Sequence, residues 1–551
     1  MTSSELREKF LDFFKEKGHT IVPSFSLSPS DQSVLFTTAG MQQFKDYFLG
    51  EKSPYGKRVA SCQKCFRTSD IEEVGDTTHL TFLEMLGNFS FGDYFKKEAI
   101  NWAYEFLFKE LKLSLNEAIF TVFEGDKEVP EDEGSVEIWK KLGVPENKIK
   151  KCGRADNFWG PTGEEGPCGP TTEIHIKGIE VWNLVFNEYY QDRDKKLSPL
   201  KQRGVDTGMG LERLAMISQG KSSVFEGDLF PKIGQSRGER IMVDHIKSSV
   251  FLIADGVLPS NIEQGYVLRR IIRRAIRFGR LLNLPKNFLM PLAQRMIEIY
   301  QDVYPELRAK QADILTAIQN EEEKFEKTLE RGLKEFDKII SKNKDITGKE
   351  AFNLYQSYGF PLELTGELAK EKGLKVDKKG FEKALEKHQE ISRAGREAKF
   401  GGVGKEATLE ATKLHTATHL MHQALREVLG DRVKQMGSDI TSQRLRFDFS
   451  HPTKMTDGEI KKVEDLVNQN IKEDLEVKKE EMLYSEAIKS GALAFFKEKY
   501  PERVSVYSIG NFSKEICAGP HVKCTSELGK FRIIKEESSG AGIRRLRAIL
   551  E

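Results

Sequence analysis

Residues 58–96 read RVASCQKCFRTSDIEEVGDTTHLTFLEMLGNFSFGDYFK. Two runs, RVASC and HLTFLEM, flank a polar loop that holds Asp70, Glu72 and Glu73. The pattern predicts a long hairpin with charged residues at its mouth. The same texture extends outward from about residue 20 to 215. EAIFTVF, TEIHI and VWNLVF read as further strands of a mixed or antiparallel sheet with inserted loops. DNFWGPTGEEGPCGP, residues 156–170, reads as a loop because of its Gly-Pro steps. GVDTGMGLERLAM, residues 204–216, reads as a strand or turn followed by a Gly-rich helix start. At the N-terminus, Leu6, Phe10, Phe13 and Phe14 share one helical face, with Thr2, Ser3 or Ser4 as the cap.

Composition changes near residue 230, after which the chain reads as helical and highly charged to about 400. Ile314, Ile318, Phe325, Leu329, Phe336 and Ile340 trace a long amphipathic pattern. GREAKFGGVGKEAT, residues 395–408, reads as a linker. A helix over 411–428, a strand at LRFDF, a helix around 453–474 and a mixed stretch from 485 to 551 complete the chain. No internal repeat is present.

The chain has 551 residues, enough for two to four domains. Its 86 basic and 85 acidic side chains leave a formal charge of +1. A nucleic-acid binder that worked by bulk charge would be more basic, so any such contact needs a local patch. Six cysteines are too few and too scattered for a disulfide framework. A reducing, cytoplasmic setting is therefore expected. The opening MTSSELREKF has no apolar core of a signal peptide, and no run of apolar residues is long enough to cross a membrane.

Several residues carry candidate chemistry. Arg67 and Arg213 suit forked hydrogen bonds to phosphate, and Asp206 suits an ammonium group. Phosphoryl chemistry of this kind works by electrostatic positioning. The competing reading is solvated charge, with Gly208 and Gly210 merely easing a turn. Neither the dinucleotide fingerprint nor the P-loop pattern occurs. In NIEQGYVLRRIIRRAIRFGR, residues 261–280, Arg270, Arg273, Arg277 and Arg280 form a stripe beside apolar Val267, Ile271, Ile272 and Ile276. The stripe is either an RNA-backbone surface or a helix face bridging to nearby acids. His415 and His419 share a helix face, and Cys517 and His521 follow about a hundred residues later, a set suited to zinc. His422 competes as a ligand, and Cys524 reads equally as a core thiol. Cys62 and Cys65 read as an incidental pair.

The segments LFTTAGMQQFKDYFLG, HLTFLEMLGNFSFGDYFK, VWNLVFNEYY and VDTGMGLER resemble the catalytic core of alanyl-tRNA synthetases. The resemblance implies an α+β fold with a class II antiparallel sheet over 1–232, flanked by helices. It further implies a helical tRNA-recognition domain over 233–400, a linker at 401–410 and a small α+β editing domain over 411–551. In that family Arg67 would hold the α-phosphate and Arg213 the γ-phosphate of ATP. Asn183 and Asp206 would hold the alanine amino group, and Trp159 would line the amino-acid pocket. His79 and Glu84 would stand beside ATP on the second strand of the hairpin, although Glu84 alone reads as an ordinary strand carboxylate. SNIEQGYVLRRIIRRA resembles the start of the tRNA-recognition domain. There Asn261 would read the G·U wobble pair of the acceptor stem, with Arg270, Arg273 and Arg277 on the RNA. Its acidic partner is expected near LYQSYGFPLELT, with Glu363 preferred over Gln356.

HTATHLMHQAL, QMGSDI, RLRFDFSH, GALAFFKEKY and CAGPHV resemble the same family's editing domain. On that match His415, His419, Cys517 and His521 bind one zinc ion, and Thr418 and Gln435 line a pocket for serine or glycine esters. The implied activity is ligation of alanine to tRNA(Ala) with ATP and Mg2+, plus hydrolysis of mischarged tRNA. The alternatives are a catalytically impaired tRNA-binding relative and a separate deacylase. Retention of Arg67, Arg213, Asn183 and Asp206 argues against both. The sequence departs from the family in its short segment between Arg67 and Asp70. It has CAGPH where CGGTH is commoner, and it lacks a β-barrel segment, a coiled coil and a C-terminal domain. A monomer is therefore expected.

Overall fold

The computed structural model describes residues 1–29, 34–232, 235–341, 345–397, 408–494, 501, 503–540 and 542–551. The chain divides into two compact units, Met1–Glu335 and Phe336–Glu551. Most of the expected linker, and the FFKEKY part of GALAFFKEKY, lie outside the described residues.

The first unit is built on a nine-stranded sheet. Its strands are β1 (Thr20–Ile21), β2 (Arg58–Phe66), β3 (Phe82–Phe91), β4 (Ala118–Phe123), β5 (Ile149–Cys152), β6 (Phe158–Trp159), β7 (Gly166–Ile176), β8 (Ile179–Gln191) and β9 (Leu197–Gly210). They run in the order β1-β2-β3-β9-β8-β7-β4-β5, with β6 on β7. Only the β1–β2 and β4–β5 pairings are parallel among these strands. The hairpin of residues 58–96 forms as expected, with Arg58 opposite Ser90 and Phe66 opposite Phe82 in unbroken register. The 156–170 stretch is only partly a loop. Its two ends pair as strands, Phe158 opposite Pro170 and Trp159 opposite Gly169.

Both faces of the central strands are covered, so β2 and β3 carry buried polar residues where a one-sided strand would show alternation. On one face lies α1 (Ser3–Glu16), capped by the Thr2 side chain and burying Leu6, Phe10, Phe13 and Phe14. Phe10 meets Trp182 of β8 with ring centroids 5.7 Å apart. α2 (Leu211–Ser218) follows β9 directly. α3 (Arg237–Ala254) packs Phe251 flat against Phe82 of β3. α4 (Glu263–Leu281) and the long α5 (Gln311–Ile340) follow. In α5, Ile314, Ile318, Phe325 and Leu329 are buried, as the amphipathic pattern predicts.

The second unit begins with α6 (Gly348–Tyr358) and α7 (Leu362–Glu371), then α8 (Leu409–Leu429) and α9 (Asp457–Lys472). Strands β10 (Gln435–Ile440), β11 (Leu445–Ser450), β15 (Phe531–Gly540) and β16 (Ile543–Leu550) form an antiparallel sheet in the order β10-β11-β16-β15. Leu414, Leu420, Phe447, Phe449, Val463, Val467 and Leu546 pack into one apolar core between it and α8 and α9. A second antiparallel sheet joins β12 (Val477–Leu483), β13 (Arg503–Ile509) and β14 (Ser513–Ile516).

Candidate active site and metal centre

In the first unit a cavity of about 290 Å³ opens on the sheet. Five of the expected residues reach it from five elements: Arg67 after β2, Trp159 on β6, Asn183 on β8, Asp206 on β9 and Arg213 on α2. The ladder explains the convergence. Asn183 lies opposite Gly208 and Val185 opposite Asp206, so all four project from one face of two paired strands. A Cβ on Gly208 would come within 2.9 Å of Met85 Sδ, so a side chain there would displace the cavity wall.

The charges in the cavity are held by specific partners. Arg67 Nε donates to the Thr38 carbonyl at 3.1 Å. Arg213 donates to Glu180 Oε2 at 3.0 Å and to the Glu180 carbonyl at 3.1 Å. Asp206 is 5 % exposed, and burial pushes its carboxyl up to about 7. Asn183 Nδ2 donates to Glu173 Oε1 at 3.0 Å, while Asn183 Oδ1 is buried with no hydrogen-bond partner among the described residues.

Two expected residues stand elsewhere. Leu83 and Met85 line the cavity, so strand alternation turns Glu84 to the opposite, helix-covered face. There it is fully buried and accepts from Arg7 Nε at 2.9 Å, Arg7 Nη2 at 2.8 Å and Tyr304 Oη at 2.8 Å. Its placement beside ATP is therefore corrected to a structural anchor between α1 and the sheet. His79 sits between Thr78 and Leu80, which line the cavity, but its ring is held by Asp76 at 2.5 Å. Its ring stands at the cavity's edge and does not line it.

The arginine stripe is also reassigned. Arg273 is 6 % exposed and donates to Glu321 Oε1 of α5 at 2.7 Å. Arg270 reaches Glu72, and Arg277 is 3 % exposed. Arg270 and Arg273 join α4 to its neighbours and Arg277 is buried, so the three do not form an open basic surface. The competing bridge to acids wins because the acids of α5 lie within reach. Asn261 is exposed just before α4, and its Oδ1 accepts from Arg269. Glu363 lies in the first turn of α7, in the second unit.

Sequence reading missed Glu212, Lys247 and Glu173. Glu212 is 2 % exposed, accepts from Lys247 Nζ at 2.7 Å and takes the Glu84 N–H at 3.1 Å. It thereby ties α2 to β3. For Lys247 the available signal was charge inside apolar IMVDHIKSSVFLIA, which marks a buried face needing partners.

In the second unit His415, His419, Cys517 and His521 bring one donor atom each to within 4.8 Å of one another. His415 and His419 lie one turn apart on α8, and Cys517 to His521 form the loop after β14. The close approach depends on Gly519, where a Cβ would fall 2.0 Å from the His415 ring. Donors around a tetrahedral zinc at about 2.0–2.3 Å sit roughly 3.3–3.8 Å apart, so a small contraction closes the site. Outer contacts orient the rings. His415 Nδ1 faces the Pro520 carbonyl at 3.2 Å and His521 Nδ1 faces Thr416 Oγ1 at 3.2 Å. These leave the Nε2 atoms turned inward, and His521 Nε2 is buried without a hydrogen-bond partner among the described residues. Burial raises the Cys517 thiol, but the His415, His419 and His521 imidazoles gathered around it outweigh burial and pull it down to about 2. His422 is not among the four. It bonds Glu515 at 3.0 Å, and the same carboxylate lies 3.5 Å from His419 Nδ1. Thr418 is 4 % exposed, with its hydroxyl on the Leu414 carbonyl at 2.8 Å, and Gln435 Nε2 donates to Ser438 at 3.1 Å.

The family model of class II (A) tRNA synthetases matches residues 5–435, and that of the threonyl and alanyl tRNA synthetase second additional domain matches 504–547. An alanine–tRNA ligase of Borrelia hermsii is 49 % identical over the whole of both chains. This chain belongs to the alanine–tRNA ligase family. Other members include the ligase of Treponema pallidum, 48 % identical over all of this chain and 98 % of its own length. That of Dehalococcoides mccartyi is 38 % identical over all of this chain and 80 % of its own length. Within the family match, all five cavity residues fall in the class II region. The metal cluster draws His415 and His419 from that region and Cys517 and His521 from the additional domain. No described helix is long and apolar enough to cross a membrane.

Proposed function

We propose that the cavity forms alanyl-adenylate from alanine and ATP and transfers alanine to the 3′ end of tRNA(Ala). The observation that supports this reading is the convergence of two arginines, a buried acid and an unpartnered amide oxygen on one small cavity, in a chain of this family. The alanine carboxylate attacks the α-phosphorus of ATP and expels pyrophosphate. Arg67 meets charge developing on the α-phosphate, and Arg213 exchanges Glu180 for the γ-phosphate. Mg2+ would add neutralising charge on the phosphates. Asp206 and Asn183 hold the ammonium group and aim the carboxylate, with Trp159 as the pocket wall. The tRNA ribose hydroxyl then attacks the activated carbonyl and releases AMP.

The second unit is assigned hydrolysis of seryl- and glycyl-tRNA(Ala). His415, His419, Cys517 and His521 would hold one zinc, which would supply structural support by tying α8 to the loop after β14. These four residues would then act by holding the site in shape to orient the 3′ end. Contacts to tRNA are assigned to residues 233–400, with Asn261 on the wobble pair.

Amino-acid-dependent exchange of pyrophosphate into ATP tests the first site. Alanine is expected to be best, with serine and glycine weak. Discrimination against a near-isostere is only about 1–3 kcal/mol, which is why a hydrolytic site is needed. Best exchange with a larger amino acid would refute the assignment.

A further inference from the structure

Asn183 can present either its oxygen or its nitrogen to the cavity, since the two ends of a side-chain amide have nearly the same shape. Only the oxygen can accept from an ammonium group. The choice is made by the residue opposite. Glu173 on β7 is the direct cross-strand neighbour of Asn183 on β8. Its Oε1 accepts from Asn183 Nδ2 at 3.0 Å, and its Oε2 takes His175 Nε2 at 2.9 Å. A carboxylate accepts only, so it fixes the amide nitrogen toward itself and the oxygen away from it. That oxygen is the buried acceptor without a partner among the described residues, on a residue lining the cavity that Asp206 also lines. A buried orphan acceptor calls for a donor.

We propose that Glu173 is a positioning residue for alanine recognition: it locks the Asn183 amide so that Oδ1 faces the substrate ammonium, with His175 steadying the carboxylate. The inference rests on the reading of this cavity as the alanine site. Glu173 also lines the cavity, so its charge adds to that of Asp206 in favouring a cation there. It does not touch ATP in this scheme, and its loss acts on alanine alone.

The test is pyrophosphate exchange on the full chain, with KM measured separately for alanine and ATP. Glu173→Ala is expected to raise the alanine KM about tenfold, the scale of one charge-assisted hydrogen bond, with the ATP KM within about twofold. Glu173→Gln keeps a carbonyl acceptor and is expected to fall between the two. Asn183→Asp sets two carboxylates face to face, and adding Glu173→Gln restores a donor–acceptor pair of reversed sense. The double variant is therefore expected to bind alanine better than Asn183→Asp alone. An unchanged alanine KM in Glu173→Ala, a parallel rise for alanine and ATP, or a double variant no better than Asn183→Asp would overturn the proposal. Wild-type protein without alanine-dependent exchange would instead overturn the reading of the cavity, which separates the two failures.

Discussion

The cavity of the first unit gathers five side chains spread over about 150 residues, whereas the cluster of the second gathers four donors from one helical turn and one short loop. In the cavity, backbone register does the assembling, and the charges are kept apart or matched to partners such as Glu173 and Glu180. In the cluster, one thiol and three imidazoles crowd together with their donor atoms within 4.8 Å of one another. The first site thus has its charges matched within the protein, and the second is a knot of donors that a metal would complete. The two sites should fail independently and in different ways.

Cys517→Ala is expected to have the largest effect. It removes the sulfur donor from a four-residue set, and structural zinc sites contribute to folding as well as to function. Elemental analysis should show one zinc per chain in wild type and a sharp loss in the variant. Release of serine from preformed seryl-tRNA(Ala) should fall with it, while alanine-dependent exchange persists. Loss of exchange as well would break the contrast between the sites. Arg67→Ala comes next and strikes the other side. A donor acting on transition-state charge is worth about 3–4 kcal/mol, roughly a hundred- to a thousand-fold in rate. Exchange should fall by that factor with zinc content unchanged, and a variant within tenfold of wild type would remove Arg67 from the chemistry.

How much of this was legible in the sequence differs between the sites for physical reasons. Helical spacing and donor type marked candidate donors with His422 as a rival, the resemblance singled out His415, His419, Cys517 and His521, and the structure brings those four together. The hairpin of residues 58–96 was legible because turn residues and strand runs alternate cleanly. Glu84 was not, since β3 is buried on both faces and alternation gives no sign of which face holds the cavity. The same gap hid Glu173, whose importance appears only once β7 and β8 are in register. The stripe on α4 misled because equal spacing serves RNA phosphates and the carboxylates of α5 alike, and only the tertiary pairing of Arg273 with Glu321 decides.

The next effect is set by pH. Burial holds the Asp206 carboxyl up at about 7 in the free protein, so below that value it is increasingly protonated. An alanine ammonium needs the carboxylate and favours it. Apparent alanine affinity should therefore be flat above about pH 7 and fall by up to about tenfold per unit below it. Alanine KM from exchange across this range checks the sign, and ATP KM should not follow it. Asp206→Asn should weaken alanine binding and flatten the profile. A profile that keeps its slope in Asp206→Asn would assign the proton to another group. The zinc content of the second unit should be unchanged by Asp206→Asn, which sharpens the independence of the sites.

The smallest expected effect is that of Asn261→Ala, and it tests whether the first unit reads RNA away from its cavity. Asn261 is exposed, and Arg269 holds its Oδ1, which leaves the amide N–H groups to donate toward an acceptor in the shallow groove of an RNA helix. One such hydrogen bond is worth about 1 kcal/mol, roughly a fivefold loss in charging of tRNA(Ala). Pyrophosphate exchange uses only the small-molecule cavity and should be spared. The buried arginines of α4 give the contrast. Removing Arg273 takes away one of the two arginines that pair with the buried Glu321 carboxylate, so that change should act through stability and lower exchange and charging together. Asn261→Ala has no buried partner charge to strand, because the Arg269 guanidinium keeps Glu321. Charging that falls alone therefore marks recognition of the acceptor stem. Equal loss in both assays would make Asn261 a fixture of the bend before α4, and would leave the RNA contacts of this unit to other residues.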